Sequence, residues 1–154
     1  GTVSARPDQA RVSLSVVTQA TTASDAASRN ATAATNVINE LRKLLGGTAD
    51  IRTINYNLSP NFGPSRDQNP PVITGYTATN TVQATVIDLA LVGRVIDAGI
   101  AAGANRVNGL TLSLRDEDTL RAQALRMAGQ KARAKAEAIA QGLGLRLGNV
   151  IVAE

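Results

Sequence analysis

Residues 72–86 read V-I-T-G-Y-T-A-T-N-T-V-Q-A-T-V, and this stretch decides the fold. Val72, Tyr76, Ala78, Val82, Ala84 and Val86 share one parity; Thr77, Thr79, Thr81, Gln83 and Thr85 share the other. Side chains alternate faces along an extended backbone, so the pattern predicts a long strand with one dry face and one hydroxyl-lined face. β-branched Val and Thr favour that backbone. Tyr76 and Asn80 carry the inward parity. A buried asparagine amide needs partners, so Asn80 is expected to anchor a loop or an interface.

Flanking segments repeat the division. Val12, Leu14 and Val16 alternate with Ser13 and Ser15 over Arg11–Thr18. Ile54, Tyr56 and Leu58 alternate with Thr53, Asn55 and Asn57 over Ile51–Leu58. Leu110, Leu112 and Leu114 alternate with Thr111, Ser113 and Arg115 over Val107–Leu114. Val107 has the wrong parity for that set, and a bulge at Asn108-Gly109 restores its register. The outward residues then form one polar sheet face: Ser13, Ser15, Thr53, Asn55, Thr77, Thr79, Thr81, Gln83, Thr85, Thr111 and Ser113.

Three helices are predicted to supply apolar stripes to the dry face. The first is capped by Thr22 or Ser24, ends at Gly46-Gly47, and carries Ala27, Ala31, Ala34, Ile38, Leu41 and Leu45. The second starts at Asp88, carries Leu89, Val92, Val95, Ile96, Gly99 and Ala102, and closes at Gly103. The third starts at Asp116-Glu117-Asp118 and runs to about Leu143, with Leu125, Ala128, Ala132, Ala136, Ile139 and Leu143 as its stripe. Residues 59–71, with four prolines, read as a loop, and Val150–Ala153 as a short final strand or tail. The order β-α-β-β-α-β-α-β predicts an α+β fold. Its core is a ferredoxin-like split β-α-β unit, a four-stranded antiparallel sheet with two helices on one face, extended by a long C-terminal helix and the final strand.

The chain has 154 residues, which fits one domain, 1–154. It contains no cysteine and no histidine, so disulfides, thiol nucleophiles, imidazole catalysis and Cys/His metal sites are unavailable. Hydrophobic residues make up 44% but aromatics only 2%, so the core is built from Ala, Val, Leu and Ile. No apolar run reaches the ~18–20 residues of a membrane span. The formal charge is +4, with cations gathered at Arg121, Arg126, Lys131, Arg133, Lys135 and Arg146. A sheet that reads RNA needs exposed aromatics for stacking; the outward positions are Thr, Ser, Asn and Gln, which argues against nucleic acid. Gly142-Leu-Gly144 follows a helix, not a strand, and so lacks phosphate-cradling geometry. The acids at 116–118 read as a helix start rather than a cation site, and Asp88 and Asp97 have no paired carboxylate. No catalytic, cofactor-binding or metal-ligating residue is therefore assigned.

Several segments together resemble the SIMPL domain family: P-D-Q-A-R-V-S-L-S-V at 7–16, D-I-R-T-I-N-Y-N-L-S-P at 50–60, G-Y-T-A-T-N-T-V at 75–82, D-L-A-L-V-G-R-V-I-D-A-G at 88–99, G-A-N-R-V-N-G-L at 103–110 and A-R-A-K-A-E-A-I-A at 132–140. The family includes bacterial periplasmic immunogenic proteins and periplasmic proteins linked to oxidative-stress defence. The resemblance implies a periplasmic or secreted domain with no cofactor and no established catalytic residues, and some members resemble ring-like or channel-like homo-oligomers. The expectation is a non-enzymatic interaction or assembly domain. Its candidate contacts are the edge strand Ile51–Leu58, loop 59–71 and the basic face of the last helix. Binding of an anionic ligand, nucleic acid or an acidic envelope polymer, through that helix is the alternative.

Overall fold

A computed structural model describes residues 2, 4–64 and 71–149. Two compact units are present, Pro7–Ser113 and a second made of Gly1–Arg6 with Leu114–Glu154. The first unit contains β1 (Gln9–Ala20), α1 (Ala23–Leu45), β2 (Ile51–Phe62), β3 (Ile73–Val86), a 3-10 turn (Leu89–Leu91), α2 (Val92–Ala101) and β4 (Arg106–Ser113). The four strands pair antiparallel in the order β2-β3-β1-β4, the split β-α-β arrangement expected from the alternations. The second unit contains α3 (Glu117–Gly142). The expected final strand, Val150–Ala153, lies outside the described residues.

The decisive stretch is β3, a central strand paired on both sides. Residues directly opposite one another in an antiparallel pair share a face. Val82 faces Leu14, Ala84 faces Val12 and Val86 faces Ala10, and all six are buried. Ala34, Val37 and Leu41 of α1 and Val95 of α2 join them in one core cluster. Small apolar side chains on both layers set a close helix-to-sheet distance. At Gly99 of α2 an added Cβ would lie 2.2 Å from Leu14 Cδ1.

Bulges at Asn108 and Ile54 set the faces of the edge strands, and a third register shift lies between Asn61 and Phe62. On β4, Gly109 faces Ser13 and Val107 faces Leu14, so Asn108 is the extra residue and Val107 joins the helix side as expected. On β2, Thr53 faces Val82 and Asn55 faces Thr81, which makes Ile54 the extra residue. That bulge corrects the outward placement of Thr53. It lies on the helix side, and its hydroxyl donates to Asn80 Oδ1 at 3.3 Å. Residues 59–62 are not loop but strand: β2 continues to Phe62, and Pro60 faces Tyr76. An edge strand tolerates Pro60 because its missing N–H need not enter a ladder. Of the remaining loop, residues 65–70 lie outside the described residues.

The α1 stripe is rotated from the expected one. Thr22 caps the helix, accepting from Asp25 N at 3.2 Å, and Gly46 ends it at φ +92°. The buried residues are Ala26, Asn30, Ala34, Val37 and Leu41, while Ala31 is exposed. Asn30 is the reason. Its Nδ2 donates to Val16 O at 2.9 Å and to Ala78 O at 3.0 Å, tying α1 to both central strands. The buried asparagine is thus Asn30, on the helix, whereas Asn80 on β3 is half-buried.

Asn105 guards the edge of β1 where β4 gives out. Its Oδ1 accepts from Val17 N at 2.9 Å and its Nδ2 donates to Val17 O at 2.7 Å, imitating a paired strand residue. Replacing Asn105 with alanine is expected to cost about 1 kcal/mol. The Val17 amide should then exchange faster in native-state hydrogen exchange, with amides of β3 much less affected.

Candidate interaction surfaces

β2 and β4 are the edges of the sheet, and both carry apolar side chains on the helix side. On β4, Val107, Leu110 and Leu112 are 46%, 48% and 53% exposed, although their opposite numbers Leu14, Val12 and Ala10 are sealed in the core. On β2, Tyr56 faces Asn80 and Leu58 faces Ala78, and they are 50% and 38% exposed. α1 and α2 close over β1 and β3 and leave these edge residues open. The expected edge Ile51–Leu58 is therefore an edge in fact. The second apolar edge, β4, was not among the contact regions expected from sequence. Strand parity alone would have treated Leu110 and Leu112 as core.

The outer face is polar as expected, and many of its hydroxyls are occupied. Ser15 Oγ and Thr81 Oγ1 share a hydrogen bond at 2.7 Å, and both side chains are buried. Asn108 Nδ2 donates to Ser15 Oγ at 2.8 Å, Thr77 Oγ1 to Asn61 Oδ1 at 2.9 Å, Thr85 Oγ1 to Asp50 Oδ2 at 3.2 Å, and Gln9 Nε2 to Ser113 Oγ at 3.0 Å. Three arginines stand on the same face. Arg11 faces Thr85 and Thr111, Arg52 faces Gln83, and Arg106 faces Ser15. Arg11 shares parity with Ser13 and Ser15 and was legible. Arg52 and Arg106 take their face from the registers on either side of the two bulges.

α3 opens at Asp116, whose Oδ1 accepts from Thr119 N at 2.9 Å and whose Oδ2 meets Thr119 Oγ1 at 2.5 Å. The Thr119 hydroxyl, then its amide, hold the Asp116 carboxyl below the usual range. No residue of α3 is buried, which corrects the expected buried stripe; Leu125, Ile139 and Leu143 are more than three-fifths exposed. Half of the stripe is alanine, and Arg121 and Lys135 fall beside it at helical spacing, which dilutes its apolar character. The cations also fail to form one basic face. Arg126 and Arg133 lie on one side of the helix, and Arg121, Lys131 and Lys135 on another. Arg133 is paired with Glu137 at 2.8 Å, which raises its pKa.

Among the described residues there is no group of three or more acidic side chains placed to hold a metal. None of the described helices is long and apolar enough to cross a membrane.

The SIMPL family model, described as a protein of unknown function (DUF541), matches residues 1–154. The 26 kDa periplasmic immunogenic protein of Brucella melitensis is 32% identical over 154 residues, covering 98% of this chain, and its Brucella abortus counterpart is equally similar. The uncharacterized protein YggE of Edwardsiella ictaluri is 31% identical over 101 residues, 66% of this chain and 42% of its own length. The chain spans 62% of the length of the two Brucella relatives.

Proposed function

The chain belongs to the SIMPL family, and from that premise we propose that it is a non-enzymatic periplasmic domain that assembles into homo-oligomers through the edges of its sheet. The periplasmic placement follows the Brucella relatives, which are named as periplasmic proteins. The non-enzymatic reading rests on a sequence without histidine or cysteine.

One observation carries the assembly reading: both edge strands expose apolar residues on the face whose centre is the core. An open edge offers unpaired backbone groups, and a contiguous apolar strip beside it favours a second chain over water. A second copy presents the same strips, so edge-to-edge contact satisfies both at once. A link to envelope or oxidative-stress defence belongs to the same reading, and peroxide sensitivity of a deletion strain tests it.

Light scattering coupled to size exclusion is the direct test. The expected result is a mass above monomer that rises with concentration. Leu110→Lys with Leu112→Lys, or Tyr56→Lys with Leu58→Lys, should return it to monomer without loss of the circular-dichroism signal. A strict monomer at high concentration would remove the reading.

A further inference from the structure

The three arginines of the outer face define a surface that the assembly reading does not use. Arg11, Arg52 and Arg106 sit on β1, β2 and β4, around the row in which Arg52, Gln83, Ser13 and Gly109 stand opposite one another. Gly109 leaves the β4 end of that row open, with no atom within 4 Å of where its Cβ would stand. The side chains of Arg11 and Arg106 have no hydrogen bond or ion pair among the described residues, and that of Arg52 has only a distant one, 4.0 Å to Asp50. Among the residues whose register puts them on this face, Asp50 is the single acid, and it lies at the β2 margin. The face is therefore net cationic, and two of its three arginines have no acidic partner on it.

From the geometry we infer that this face binds an acidic polysaccharide, a glycan chain carrying carboxylate or phosphate groups. Charge complementarity requires an anion. Spacing suits a polymer: with strands about 4.8 Å apart and a same-face repeat of about 6.8 Å, Arg11 lies about 12 Å from Arg52 and about 14 Å from Arg106 between Cα atoms. Linked anionic units can place one charge at each arginine along such a path. Amides beside the charges favour a glycan over a nucleic acid. Asn55 and Asn57 stand on the face with amides unengaged among the described residues, ready to bond sugar hydroxyls. Tyr56 and Tyr76 lie on the opposite, helix side, so they offer no stacking platform to bases here.

The test uses polygalacturonate as the probe, with neutral dextran and an oligo-dT strand as comparisons, by isothermal titration at low and high salt. Polygalacturonate should bind, and its affinity should fall steeply with salt; dextran should not bind. The double variant Arg11→Gln/Arg106→Gln should weaken binding about tenfold, because each exposed charge contact contributes only modestly. Both side chains are exposed, so the variant should fold, which circular dichroism checks. The α3 variant Arg121→Gln/Lys131→Gln should bind as tightly as the parent. Absence of binding at low salt, loss confined to the α3 variant, or tighter binding of oligo-dT through Arg11 and Arg106 would each overturn the inference. The outcome is independent of the edge variants, since none of the tested residues belongs to the edge strips.

Discussion

Asn30→Asp should unfold this domain more readily than any other single-atom exchange in the helix-facing core. Asn30 is fully buried and donates to two strand carbonyls, Val16 O and Ala78 O. Aspartate has the same shape but offers an acceptor where two acceptors already point. A buried, unpaired carboxylate facing carbonyl oxygens should cost at least about 3 kcal/mol at neutral pH. Burial favours the neutral carboxyl and raises its folded pKa above the unfolded value. Stability is therefore recovered below the ordinary carboxylate range and lost as pH rises through the raised value. Urea unfolding at several pH values reads this directly, and a midpoint independent of pH would contradict it. Asn30→Leu separates charge from hydrogen bonding. It should cost about 1–3 kcal/mol for the lost donors, with no pH dependence.

Gly99→Ala should destabilise although it improves helix propensity. In an ordinary helix interior the exchange gains roughly 0.5–1 kcal/mol. Here the new methyl falls 2.2 Å from Leu14 Cδ1, with Leu41 Cδ2 at 3.9 Å behind it. Leu14 and Leu41 are both buried in the same core cluster, so little room is left for Leu14 to move, and overpacking of about 1–3 kcal/mol should outweigh the propensity gain. Gly93 of the same helix is the control, because a Cβ there meets nothing within 4 Å. Gly93→Ala should be neutral or stabilising by up to about 1 kcal/mol. Opposite signs in chemical denaturation would locate the effect in the α2–β1 contact. Equal signs would mean that α2 adjusts its distance from the sheet.

Strand periodicity made the fold legible because a period of two assigns faces without knowledge of neighbours. The Thr and Val parities at 76–86 and the Asn108 bulge placed two strands and their faces correctly. Helix stripes were less legible. Reading α1 by hydrophobicity excluded Asn30 and selected Ala27, Ala31 and Ile38, one step around the helix from the buried line. A polar residue can occupy the centre of a stripe when strand carbonyls satisfy it, and those carbonyls come from elements 14 and 48 positions away. The interaction surfaces were partly legible. The β2 edge and the polar outer face followed from alternation, whereas the cationic character of that face did not, since Arg52 and Arg106 belong to it by pairing register.

By itself the sequence determined the order of the described elements, the two-faced strands, helix starts at Thr22 or Ser24 and at Asp116-Glu117-Asp118, and a composition without cysteine or histidine. These depend on local propensity, alternation and composition, which act over a few residues. Only the tertiary structure decided which inward residues are sealed and which stay open. Leu14 and Leu110 have the same residue type and both face the helix side, yet one lies under two helices and the other on an uncovered edge. Burial depends on what other segments cover a position. For residues 72–86, coverage on one face and register on the other turned a simple alternation into the middle of a core and the floor of a cationic surface.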